Sequence, residues 1–321
     1  MTAVPVIDLD GFVAGDPDRR CRVARQIDEA CRTVGFLTIT GHGVADTVIA
    51  DLEREARAFF ALAHGDRMAV AMPEPGYPYG YSPDEGESLN RSIGGGASPD
   101  LKATFNVGPI DPPPRPVAEM DDPDERAVYA PNLWPASLPT LRPAVESYYR
   151  AMADLAATLM EGFALALGLS ADHFAGLIDR HGSALRLAHY PPIPADADVG
   201  HRFRAGAHTD YGTLTILWTD GRPGLQVLLP DAGWTDVEPV DGGLLVNLGD
   251  LMARWSNDRW CSTMHRVVPV PGAGARLSIP FFHNANWDAR IECLVGDGDV
   301  PRYPPTTAGR HLMSKFRATQ L

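Results

Sequence analysis

ALRLAHY at residues 184–190, TLTILWT at 213–219, GLQVLLP at 224–230, GWTDVEP at 233–239, LLVNLG at 244–249, HRVVPV at 265–270 and RLSIPFF at 276–282 follow one another at short intervals. Glycine, proline and aspartate clusters divide them. Short apolar runs that repeat between turn formers predict an all-β sandwich or barrel. The 31 glycines and 29 prolines fit many turns and argue against a mainly helical chain.

Outward from this block the periodicity changes. In the first 60 residues the pattern reads strand, helix, strand, helix. Val23, Ile27, Ala30 and Cys31 recur at helical spacing before Gly35, and 36–40 alternates as a strand. Residues 73–136 show little periodicity and predict an irregular cover loop. Leu141, Val145, Tyr148, Met152, Leu155, Leu159 and Phe163 mark a long apolar-faced helix, and residues 308–317 a last one. The expected organisation is one unit over 1–321: an N-terminal α/β and cover-loop region (1–135), a helical segment (136–182), the β core (183–305) and a C-terminal helix (306–321).

The formal charge of −13 argues against nucleic acid, because phosphate binding needs a basic footprint. Cys21, Cys31, Cys261 and Cys293 form no C-x-x-C pair, so a reducing cytoplasm is expected. The N-terminus shows no secretory signal, and about 18 apolar residues never run together, so no membrane partner is expected. The pattern leaves the oligomeric state open.

The chemistry gathers around His208-Thr209-Asp210. On an extended chain residues i and i+2 share a face, so His208 and Asp210 can grip one ion. Alone, H-x-D is a common pattern that also suits a solvent-facing turn. His265 lies 55 residues after Asp210 at the start of another strand, and Arg276 and Ser278 form a further same-face pair beyond it. Two imidazoles and one carboxylate cap one face of an octahedral ion and leave three positions open, the arrangement of non-haem Fe(II) oxygenases. An arginine fork deeper in the pocket can hold a carboxylate bidentately.

With these residues in view, the chain resembles the isopenicillin N synthase-like branch of the Fe(II)/2-oxoglutarate-dependent dioxygenases. The resemblance rests on PVIDL, GFLTITGHGV, GYSPDEGESL, DLKATFNVG and NLWP in the first half. In the second it rests on LRLAHYPP, GAHTDYGTLTIL, GLQV, GWTDVEPV, LLVNLGDLMARWSN, STMHRVV and RLSIPFF. It implies a mainly β fold with flanking helices around a double-stranded β-helix, or jelly roll. It also implies His208, Asp210 and His265 as iron ligands, with Arg276, Ser278 and Tyr190 on the distal carboxylate of 2-oxoglutarate. The reaction implied is oxidation of a C–H bond of a small molecule, by hydroxylation, desaturation or cyclisation. O2 and 2-oxoglutarate would become succinate and CO2. Ala188 departs from the family, which often has asparagine there.

Alternatives remain at this stage. Isopenicillin N synthase and aminocyclopropanecarboxylate oxidase share the Arg-x-Ser pair, so a 2-oxoglutarate-independent iron oxidase is the competing reading. A zinc hydrolase is a third reading, but the chain lacks the helical H-E-x-x-H of many zinc proteases and that reading gives Arg276 no role. A non-catalytic binder would not need the whole triad. Strand alternation puts Arg186 on the face of Tyr190, as a structural ion pair or a group that meets an acid. The same alternation puts Phe282 on the face of Arg276 and Ser278, as core packing or a substrate contact. The family's layout suggests Phe105 in the pocket roof. Asn247 and Asp250 read as supporting or turn residues, His42 as a turn residue, and His189 and His283 as structural.

Overall fold

The computed structural model describes residues 4–319 except 75, 85–99, 112, 114, 198–199, 201 and 297. The end of the GYSPDEGESL block and His201 fall outside them. The chain opens with β1 (Val6–Asp8), α1 (Asp10–Val13), α2 (Pro17–Thr33), β2 (Phe36–Thr40), α3 (Asp46–Ala61) and α4 (His64–Met68). Then come β3 (Gly80–Ser82), β4 (Ala103–Val107), α5 (Pro123–Val128), α6 (Leu141–Ala166) and α7 (Ala175–Ile178). The strand-rich half holds β5 (Ala184–Tyr190), β6 (Ala205–His208), β7 (Leu214–Thr219), β8 (Leu225–Leu229), β9 (Gly233–Asp236) and β10 (Leu244–Leu248). It continues with α8 (Asp250–Trp255), β11 (His265–Val267), β12 (Arg276–His283), β13 (Arg290–Ile291), β14 (Thr306–Thr307) and α9 (Ala308–Thr319).

Helix α2 shows how local sequence sets these bounds. The Asp16 carboxylate accepts from the Asp18 and Arg19 amides, and Pro17 begins the first turn where its missing N–H costs nothing. Gly35 ends the helix with φ +69°, and a Cβ there would lie 2.4 Å from the Cys261 carbonyl oxygen. Only glycine fits that turn.

The major sheet has the order β1-β2-β10-β7-β12-β5-β4-β3, and a smaller sheet runs β6-β11-β8-β9. Neighbouring strands are antiparallel except for the β1–β2 pair. This is the jelly-roll core. Period-two alternation sorts its side chains. Leu187, Ile216, Val246, Ile279 and Phe281 face outward into the large core beneath α2, α3 and α6. Ala188, Tyr190 and Leu245 face inward and meet Ala205, Val227 and Val267 of the smaller sheet. Two apolar layers thus hold one sheet between them, and the inner layer gives way to polar side chains where the site lies.

The structure corrects the reading of residues 73–136. That stretch contributes β3 and β4 to the major sheet, where Ala103–Val107 pairs with β5 and is buried throughout. A five-residue strand covered on both faces shows no polar alternation, which hid it from a periodicity search. Among the described residues no helix is long and apolar enough to cross a membrane.

Candidate metal centre

Register brings the two histidines together. In the antiparallel β6–β11 pair His265 stands directly opposite His208, and their ring centroids are 4.3 Å apart. The two Nε2 atoms lie 3.9 Å and 4.0 Å from Asp210 Oδ1, and the three candidate ligand atoms fall within 4.8 Å of one another. His208 Nδ1 is 2.7 Å from the Gly206 carbonyl oxygen, and His265 Nδ1 is 3.2 Å from that of Thr263. A carbonyl only accepts, so Nδ1–H donates in both rings and each Nε2 keeps its lone pair for a metal. Phe36 packs edge-on against His265, with centroids 5.4 Å apart.

Neighbouring chain segments set the carboxylate. Gly212 and Gly249 approach so closely that a Cβ on Gly249 would meet the Gly212 oxygen at 2.2 Å. The Asp250 amide reaches the Asp210 carbonyl at 2.8 Å across this contact. Asn247 Nδ2 and Thr215 Oγ1 donate to Asp210 Oδ2 at 2.7 Å and 2.5 Å. Asp250 accepts from Thr209 Oγ1 at 3.2 Å and pairs with Lys315 Nζ at 2.6 Å, which ties α9 to the ligand loop.

The charges suit an ion. Burial, reinforced by the His265 imidazole, pulls the His208 ring down to about 3, so it stands neutral at physiological pH. Burial alone would raise the Asp210 carboxyl. The two imidazoles and the bonds from Asn247 and Thr215 outweigh it and hold the carboxyl below its ordinary value. A neutral His208 nitrogen, the His265 imidazole and an ionised Asp210 oxygen make up the kind of donor set a divalent first-row metal accepts.

Along the interior from the triad, Arg276 and Tyr190 are cross-strand partners, with the guanidinium carbon 5.1 Å from the ring centroid. Ser278 Oγ lies 3.4 Å from the Tyr190 hydroxyl. Arg276 is buried. Its Nε reaches the Arg222 carbonyl at 3.4 Å, whereas Nη1 is buried with no hydrogen-bond partner among the described residues. An unpaired buried guanidinium nitrogen is costly unless something anionic meets it. Beside Ser278 in the ladder stands Ala188, and beside that Thr104, whose buried hydroxyl also lacks a partner among the described residues. A methyl group with a buried hydroxyl beside it thus stands where the resemblance leads one to expect asparagine.

Phe282 pairs in register with Thr215, the residue that bonds Asp210, and so sits at the level of the triad. The Arg186 guanidinium lies 5.7 Å from the Phe282 ring, and its Nε donates to Asn106 Oδ1 at 2.7 Å. Asn106 was not legible as a site residue. Knowing that it pairs with Arg186 in the ladder requires the β4–β5 register. Phe105 is not in the pocket roof. It faces the outer core, fully buried 4.6 Å from Phe59, because alternation on β4 sends it opposite to Thr104 and Asn106. His189 stacks on Phe60, and buried His283 is bonded to the Thr213 hydroxyl at 2.7 Å, both away from the triad.

The comparisons agree with this geometry. Residues 4–137 match the family described as non-haem dioxygenase in morphine synthesis N-terminal, and residues 181–285 match the 2OG-Fe(II) oxygenase superfamily. A 2-oxoglutarate-Fe(II) type oxidoreductase, hxnY, of Emericella nidulans is 35% identical, over 95% of this chain and 87% of the relative. Validamycin A dioxygenase of Streptomyces hygroscopicus subsp. limoneus is 32% identical over 98% of this chain and 86% of the relative. A full-length Neurospora crassa protein, crystallised in complex with alpha-KG and thymine, superposes with a TM-score of 0.84. It is 29% identical, and the match covers 98% of this chain and 97% of that one. The chain belongs to the 2-oxoglutarate- and Fe(II)-dependent dioxygenases, oxidoreductases that use Fe(II), 2-oxoglutarate and O2.

Proposed function

We propose that His208, Asp210 and His265 hold the iron, and that Arg276, Ser278 and Tyr190 receive the distal carboxylate of 2-oxoglutarate. The observation that carries this reading is the buried Arg276 Nη1, which has no hydrogen-bond partner among the described residues, on a guanidinium that lies against Tyr190 and its Ser278 neighbour. When bound, the iron with 2-oxoglutarate and O2 supplies the oxidising power, leaving succinate and CO2 while a substrate C–H bond is oxidised. The protein's own part is placement. The backbone carbonyls of Gly206 and Thr263 fix both imidazoles, Asn247 and Thr215 fix the carboxylate, and the inner apolar layer limits water around them.

The primary substrate in this reading is a polar small molecule that meets Phe282 and the Arg186–Asn106 pair at the level of the triad. The relatives support the class: one is a validamycin A dioxygenase, and another was crystallised with thymine. Four free cysteines support a cytoplasmic setting.

An anaerobic titration tests the assignment. Fe(II) added with 2-oxoglutarate is expected to give a weak visible charge-transfer band that His208→Ala abolishes. Arg276→Ala is expected to raise the 2-oxoglutarate requirement sharply and to spare metal binding. An unchanged 2-oxoglutarate affinity in Arg276→Ala would remove that residue from the pocket.

A further inference from the structure

A second arginine lies beside the carboxylate pocket. Arg204 immediately precedes β6, the strand that ends in His208. It is fully buried, and its guanidinium carbon lies 5.9 Å from the Tyr190 ring centroid, where that of Arg276 lies 5.1 Å away. Tyr190 is therefore flanked by two buried cations. Arg204 Nη2 is used, donating to the Pro191 carbonyl at 2.9 Å and the Gly274 carbonyl at 3.4 Å. Its Nε and Nη1 are buried without hydrogen-bond partners among the described residues, as is Arg276 Nη1.

Among the described residues no carboxylate lies within ion-pair distance of either guanidinium. Asp220, whose charge reaches Arg204, is engaged by Arg57 at 3.2 Å and by the Leu277 amide at 2.8 Å. Burial lowers the affinity of Arg204 for its proton, and the charge of Arg276 lowers it further. Two like charges taken out of water with three idle donor nitrogens form a costly arrangement. An anion with several acceptor positions relieves it. A carboxylate offers about four lone-pair sites, more than Arg276 and two hydroxyls need to fill.

We propose that Arg204 is a second cationic arm of the cosubstrate pocket, a positioning residue that donates Nε and Nη1 to the distal carboxylate of 2-oxoglutarate opposite Arg276. This rests on the reading of Arg276, Ser278 and Tyr190 given above. One consequence is selectivity: two arms reward a second carboxylate far more than a neutral tail of equal length. Another is coupling, because Arg204 and the metal-facing His208 are joined by three residues of one strand.

Calorimetry on the full-length protein loaded with Mn(II) provides the test, using 2-oxoglutarate and 2-oxobutanoate, which keeps the 2-oxo acid head and lacks the distal carboxylate. Arg204→Gln is expected to weaken 2-oxoglutarate about ten- to a hundredfold, the size of a lost charged hydrogen bond. The 2-oxobutanoate affinity should stay put. Arg204→Lys keeps the buried charge in case the glutamine variant does not fold, and is expected to weaken 2-oxoglutarate several-fold through loss of the fork. Wild-type affinity in either variant, or an equal loss for both acids, overturns the proposal and leaves Arg204 as a peg for Pro191 and Gly274. Arg276→Gln separates the two readings: if it too leaves 2-oxoglutarate unaffected, the pocket assignment itself falls.

Discussion

Asn247 and Asp210 divide the labour of one carboxylate. Asn247 Nδ2 holds Oδ2 at 2.7 Å, with Thr215 beside it, so that Oδ1 is the oxygen left facing both imidazoles. Removing the amide frees the carboxylate to rotate without touching any ligand atom. Asn247→Ala is therefore expected to lower metal affinity about ten- to a hundredfold while the protein stays folded. Mn(II) titration calorimetry alongside circular dichroism reads both quantities. Unaltered affinity would show that the loop alone orients Asp210.

The Arg186–Asn106 pair makes a separate prediction, because it lies at the triad's level rather than by Arg276. Arg186→Met keeps the stem over Phe282 and loses the charge. It should raise KM for the primary substrate by about tenfold, the scale of one charged hydrogen bond. The dissociation constant of 2-oxoglutarate should not move. A change in that constant instead would place Arg186 in the cosubstrate pocket.

Phe105 packs against Phe59 and Trp134 in the outer core, far from any role in recognition. Phe105→Ala should cost about 3–5 kcal/mol in denaturant unfolding, the usual range for a buried ring. The folded fraction should bind 2-oxoglutarate as the wild type does. Weakened binding with little loss of stability would return Phe105 to the pocket.

Stability should fall in acid through two histidines outside the metal centre. Burial, with a smaller push from Lys315, holds His311 down to about 4; burial and the His181 ring hold His283 well below its ordinary value. Unfolded rings titrate near about 6.5. Below that the unfolded chain binds more protons than the native one, so stability is complete above about 6.5 and drains away as pH falls towards 4. The melting temperature should be lower at about pH 5 than at about pH 7.5. His311→Gln should narrow that gap, and an unchanged gap would exonerate His311.

Much of this centre was legible in the sequence because it is local. His208 and Asp210 are two residues apart, and the strands that carry His265, Arg276 and Ser278 announce themselves by alternation. What stayed hidden depends on register. Thr215 and Asn106 acquire roles only through the β7–β10 and β4–β5 pairings, which no single strand encodes. Arg204 was masked in a different way. It precedes the first residue of β6, and its place beside Tyr190 follows from how the two sheets stack rather than from the strand's own pattern. Strand β4 was lost because burial on both faces erased its pattern.

The order of strands in the major sheet also bears on how the molecule is made. Strand β2 ends at Thr40, yet its antiparallel neighbour is Leu244–Leu248, and β4 waits for Ala184–Tyr190. During synthesis β2 therefore leaves the ribosome about 200 residues ahead of β10, and β4 about 80 residues ahead of β5, each with an open edge and an apolar face. Closure of the sheet is a long-range, slow event. The triad is also complete only late in the chain, since His265 emerges 55 residues after Asp210. Helix α2, made early and packed on β1 and β2, is suited to shelter them in the interval.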